Sequence, residues 1–125
     1  YTHQVKSNNL DERIIFKGKV RRQNLPKVLS HYDVFLHAFI GSLDKSIVEA
    51  TFLGIPVITI NPEYLKIFGQ WSSNNQPSLD QELIAFMKFS NKAIIKIVKA
   101  RRKLAENNHE IKKWINRISH ILTNI

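Results

Sequence analysis

Apolar residues in the first half of the chain arrive in short blocks separated by polar turns, the rhythm of alternating strands and helices. Arg13–Phe16 (RIIF) is β-branched and runs into Lys17-Gly18-Lys19, and Val34–His37 (VFLH) follows Tyr32-Asp33. Pro56–Ile60 (PVITI) is a nearly continuous apolar run, as expected for a strand buried on both faces of a parallel sheet. Between the first two blocks lies NLPKVLSHY, a short helix with Pro26 in its first turn, where a missing N–H does no harm. Between the second and third lies a helix over Lys45–Leu53, capped by Asp44 and ended by Gly54 and Pro56. Strand–helix–strand–helix–strand with short links predicts right-handed crossovers and a parallel sheet, hence an α/β fold.

After Asn61 the pattern changes. Asn61–Pro77 is polar and carries Pro62, Gly69, Trp71 and Asn74-Asn75, which reads as a long loop with one short helical turn. Ser78 and Gln81 have capping-box spacing at the start of a helix that aligns Leu79, Leu83, Phe86 and Met87. A second helix groups Ile94, Ile97, Val98, Leu104 and Ala105. A third keeps Ile111, Trp114, Ile115, Ile118, Ile121, Leu122 and Ile125 on one stripe, giving a helical C-terminal tail that must pack on the sheet or on a neighbouring domain.

Composition bounds the picture. The 125 residues suffice for one domain, 1–125, and 43% hydrophobic with 23% charged content is that of an ordinary globular protein. No run is long and apolar enough for a membrane span, and YTHQVKSNNLDER lacks the apolar core of a signal peptide. The absence of Cys excludes disulfides and thiolate metal sites and fits a cytoplasmic location. The opening residues read as the tail of a helix begun upstream, so a longer parent protein is expected. The net charge of +9 is uneven: Lys88–Arg117 holds ten Lys or Arg against two Glu. A solvated helix face is the plainest account of such a run. Peripheral contact with the anionic inner face of a membrane is a further expectation, and nucleic acid a less favoured one.

The chemistry concentrates between His37 and Ile60. A loop-to-helix junction behind a buried strand turns backbone N–H groups and the helix dipole toward anions. Gly41 permits unusual backbone angles, Ser42 allows close approach, Asp44 caps, and Lys45 supplies charge near a bound phosphate. A plain capped turn accounts for the same residues and, on spacing alone, is slightly the better account. Glu49 is a lone carboxylate among Ile47, Val48, Ala50, Phe52 and Leu53. It either pairs with Lys45 one turn back, for about 0.3 kcal/mol, or accepts hydrogen bonds from a sugar diol. The two readings stand level. The five His have no metal-ligand spacing, no Ser/His/Asp set or phosphate-binding Gly loop is present, and Trp71 and Trp114 read as core or docking residues.

RIIFKGKV, LPKVLSHYDVFLHAF and SIVEATFLGIPVIT, in this order, resemble the C-terminal donor-binding domain of GT-B glycosyltransferases of the group 1, family 4 type. The resemblance runs from Arg13 to Ile60. ARRKLAENNHEIKKWINRISHIL is more loosely similar to that family's closing helices. It implies a Rossmann-like parallel sheet with flanking helices, part of a GT-B C-terminal domain. It also implies metal-independent, retaining transfer of a sugar from a nucleotide-diphosphate sugar, which is a substrate and not a cofactor.

By that resemblance Glu49 holds the ribose hydroxyls. The backbone of Ser42, Leu43, Asp44 and Lys45 approaches the donor sugar and pyrophosphate, and Gly18, Lys19 and Val20 flank the base. The first Glu of the family's E-x7-E motif falls at Gly41, removing a contact to the donor sugar, and Ala38 stands where Pro is usual. The basic residues that steady the diphosphate and the N-terminal acceptor domain would lie upstream, so this chain alone is expected to be inactive. A non-catalytic basic module is the alternative. A sugar-nucleotide epimerase fits less well, since its catalytic carboxylates have no positions here.

Overall fold

In the computed structural model the described residues are 2–9, 13–16, 18, 21–24, 27, 28, 31–108 and 113. Helix α1 (Thr2–Ser7) and a 3-10 turn (Arg22–Asn24) precede strand β1 (Phe35–His37). Helix α2 (Lys45–Phe52) crosses to strand β2 (Val57–Thr59), and α3 (Pro62–Phe68), α4 (Leu79–Lys88) and α5 (Asn91–Asn107) follow. The strands pair in parallel, Phe35 with Val57, Leu36 with Ile58 and His37 with Thr59. The molecule is thus a small α/β fold, with helices packed on a two-stranded parallel sheet.

The crossover forms where the residues predict it. Asp44 sits in extended backbone and its carboxylate accepts the Ser46 N–H, the geometry of an N-cap. Leu53 and Gly54 close the other end, with Gly54 at φ +81°, left-handed backbone that glycine adopts without steric penalty. The Ile55 N–H returns to the Ala50 carbonyl, and the chain enters β2 at once. All three β2 residues are buried, as the apolar run requires.

Helix α2 buries Ile47, Val48, Ala50 and Thr51 between the sheet and α5. With Ile55, Val57, Tyr64, Phe68 and Ala105 these form the main core, bordered by Phe35, Leu43 and Ile67. Each fully buried Ile or Val contributes about 1.5–3 kcal/mol. Inside it Thr51 Oγ1 donates to the Ile47 carbonyl and accepts the Tyr64 hydroxyl, leaving neither polar tip bare.

A second, more polar centre joins α4 and α5 to β2. Glu82 is fully buried, accepting the backbone N–H of Trp71 (2.7 Å) and of Ser72 (3.0 Å) and the Ser72 hydroxyl. The Trp71 indole donates to the Val57 carbonyl, with Phe86 and Phe89 edge-on against its ring. Arg101, 4% exposed, donates to the carbonyls of Val57 and Gly69 and lies 4.5 Å from the Trp71 ring centroid. Burial pulls its guanidinium below the ordinary value, against the opposing effects of Tyr64 and Glu82.

Four expectations are corrected. Arg13–Phe16 is not a strand: Ile14, Ile15 and Phe16 are exposed, because β-branched composition makes a strand only where a partner edge accepts it. The helical turn expected within Asn61–Pro77 is longer, a helix of 7 residues: Asn61 caps the Tyr64 N–H and Pro62 occupies the first turn, so the Asn-Pro pair starts α3. In α4 Met87 is 73% exposed, while Glu82 takes the inward place. In α5 Leu104 turns outward and Arg101 joins Ile94, Ile97, Val98 and Ala105 on the inner side, removing one member of the basic Lys88–Arg117 run from the surface. Lys27 and Val28 are helical, as expected after Pro26. The predicted stripe from Ile111 to Ile125 lies outside the described residues. Among those described, no helix is long and apolar enough to cross a membrane.

Candidate functional site

The loop between β1 and α2 emerges from the carboxyl end of the parallel strands, the edge at which open α/β sheets bind their ligands. Two side chains from the strand ends organise it. His37, the last residue of β1, has a side chain only 8% exposed and uses both ring nitrogens. Nδ1 lies 2.9 Å from Thr59 Oγ1 on β2, and Nε2 lies 3.0 Å from Asp44 Oδ2 at the start of α2. A carboxylate only accepts, so Nε2 carries a proton; in the tautomer protonated at Nε2 alone, Nδ1 accepts the hydrogen bond that the Thr59 hydroxyl donates. Thr59 Oγ1 in turn accepts the Asn61 N–H at 3.0 Å.

Asp44 anchors the other end of this chain. Its Oδ1 accepts both the backbone N–H and the hydroxyl of Ser46, each at 3.0 Å. Burial works to raise its pKa, but these bonds and the one from His37 together hold the carboxyl below the usual aspartate value. The Asp44 charge is therefore already satisfied at the helix N-terminus, complementing the dipole there.

Asn61, fully buried just beyond β2, is the second organiser. Its side-chain NH2 faces three loop carbonyls, those of Phe39 (3.1 Å), Gly41 (3.4 Å) and Ser42 (3.0 Å), while its Oδ1 accepts the Tyr64 N–H at 3.1 Å. One residue thus starts α3 and ties down the β1–α2 loop. Nothing in the sequence pattern singled it out. The signal available was the Asn-Pro pair itself, an N-cap followed by a proline.

The expected site residues divide into two groups. Ser42, Leu43, Asp44 and Lys45 lie together on the loop and first helical turn, with Ser42 and Lys45 exposed and Leu43 half-buried. Glu49 is one turn further along α2, half-buried and engaged in an interaction within the chain. Gly41 is needed for a different reason from the one its sequence suggested. Its φ is not positive; a Cβ there would meet the Phe39 ring at 2.5 Å, so glycine lets that aromatic fold over the loop. Gly18 is exposed at φ +73°, and nothing described brings it to this loop. Lys19 and Val20 lie outside the described residues.

Other concavities carry less chemistry. A groove of about 330 Å³ between α5 and the α2–β2 turn is lined by Ile94, Ile95 and Val98 together with Lys99 and Arg102. No group of three or more His, Asp or Glu able to hold a metal ion occurs among the described residues. Comparison of the chain with protein-family models, curated proteins and solved structures finds no match in any of the three.

Proposed function

We propose that this chain carries the nucleotide-sugar-binding half of a retaining, metal-independent glycosyltransferase, as part of a Rossmann-like C-terminal domain of GT-B architecture. The observation that carries the reading is the segment from His37 to Ile60. Its resemblance to the donor-binding motif coincides with a loop, helix, glycine turn and buried strand at the carboxyl end of a parallel pair. A ribose diol would be held by Glu49, exchanging with the contact Glu49 now makes within the chain. The diphosphate would lie on the loop amides beside Lys45. Asp44 itself is not available to it, being engaged by Ser46 and His37. Reaction would need the acceptor domain, since groups from both sides of the cleft must position the acceptor and stabilise the leaving diphosphate.

Isothermal titration of the chain with UDP and GDP, beside a Glu49→Ala variant, tests the donor site. Binding of one nucleotide that weakens about ten-fold in the variant is expected, the size of one lost charge-assisted contact. Equal affinity of both proteins would remove Glu49 from the site. No binding even after the upstream half is restored would end the donor reading.

A specific observation favours a second reading of another surface. Lys92, Lys96, Lys99 and Lys103 are all exposed at helical spacing on α5, with Ile95, 55% exposed, beside them. Such a stripe suits the headgroups of an anionic membrane. Binding to anionic vesicles that disappears at high salt is the expected result; equal binding to neutral vesicles would count against it.

A further inference from the structure

We infer that Asn61 is the positioning residue of the proposed donor site, acting by setting the direction in which the loop amides point. This rests on the glycosyltransferase reading of the loop and adds a residue to it. The argument begins with the peptide unit. In a trans peptide the carbonyl of one residue and the N–H of the next point in opposite directions, and the described chain has no cis bonds. The Asn61 NH2 draws the carbonyls of Phe39, Gly41 and Ser42 toward the buried side. The N–H groups of Ile40, Ser42 and Leu43 are therefore turned away from Asn61. None of the three donates to a described residue, and the loop around them is exposed at Ile40, Gly41 and Ser42.

Three outward donors from one short stretch are what an oxyanion accepts, and holding them in place before binding removes an ordering cost at the moment of binding. The other connections of Asn61 make the arrangement rigid. Its N–H is fixed by Thr59, which also reaches His37, and its Oδ1 is fixed by Tyr64 N. The residue has no contact with any ligand in this scheme; it acts through the loop.

Two substitutions separate this role from simple support. Asn61→Asp keeps the oxygen that caps Tyr64 N but presents a second acceptor to three carbonyls. Asn61→Ser keeps a good N-cap and is too short to span the loop. Titration with UDP and GDP at neutral pH is expected to show affinity reduced about ten-fold in both variants. In Asn61→Asp alone, affinity is expected to recover as the pH falls, because a protonated carboxyl donates again. Should Asn61→Asp fail to fold, as judged by circular dichroism, Asn61→Ser decides by itself. Wild-type binding that both folded variants retain unchanged would overturn the role of Asn61 while leaving the donor reading intact. Wild-type protein that binds neither nucleotide, with the upstream half restored, would overturn both.

Discussion

The two polar centres flanking β2 use similar groups and reach opposite ends. Around Trp71, the carboxylate of Glu82 and the guanidinium of Arg101 turn inward, and their partners are backbone groups of the loop and of β2. Around the β1–α2 loop, Asn61 and the His37–Asp44 pair also bind backbone or side chains, but the N–H groups of Ile40, Ser42 and Leu43 in the loop they hold donate to no described residue. A buried polar network whose partners all lie within the protein is scaffold, even where, as at the buried Arg101 Nε, one donor is left over. One that consumes only the inner half of a loop's hydrogen-bonding capacity leaves the outer half ready for a ligand. Burial of charge alone does not distinguish them, since Glu82, the most deeply buried carboxylate among the described residues, lies in the scaffold.

The largest expected effect therefore falls on the closed centre. Glu82→Ala strands the N–H groups of Trp71 and Ser72 and leaves the Arg101 charge without its opposing neighbour, a loss of about 3–4 kcal/mol in urea unfolding. Arg101→Met alone should lose about 2 kcal/mol, and the double variant should lose less than the sum, by about 1 kcal/mol. Lys99→Met, two residues away on the exposed side, should stay within about 0.5 kcal/mol. A Glu82→Ala variant as stable as the parent would break the comparison at its stronger end.

The smallest effect belongs to the open centre and sharpens the comparison through pH. Asp44 has its folded pKa below the usual 3.8, so the unfolded chain binds its proton first as the pH drops. Its contribution is complete at neutral pH, above the unfolded value, and is lost as the pH falls through the folded one. Asn caps helices as well as Asp does, so the melting temperature of Asp44→Asn should lie slightly below the parent at neutral pH. The two curves should converge in acid. A gap that persists at the lowest pH would mean that packing, not ionisation, distinguishes the two side chains.

How far the sequence leads depends on whether the controlling interactions are local. VFLH, the Asp44 cap, the Gly54 stop and PVITI are written in neighbouring residues, and strand, helix and strand fall within a residue of expectation. The Ser78–Gln81 capping box forms as its spacing requires. RIIF has the right composition, yet strand formation depends on an edge its own residues do not specify. Arg101 and Glu82 look like surface charges beside Lys99 and Asp80, and only the arrival of the Trp71 loop buries them. In the candidate site Asp44 was legible as a cap, but its tie to His37 was not, and Asn61 was hidden because its loop partners lie some twenty residues earlier.

Asp44 also bears on the order in which the chain folds. Its contact with Ser46 spans two residues and can form on the fast timescale of a helical turn, while its contact with His37 needs the strand end brought to the helix start. A crossover already coiled at α2 and reversed at Gly54 is a shorter and stiffer tether than a random segment, which lowers the entropy of closing β1 onto β2. The same carboxylate thus makes one contact local to the helix start and one to the end of β1, whose His37 carries the tie across to Thr59 on β2.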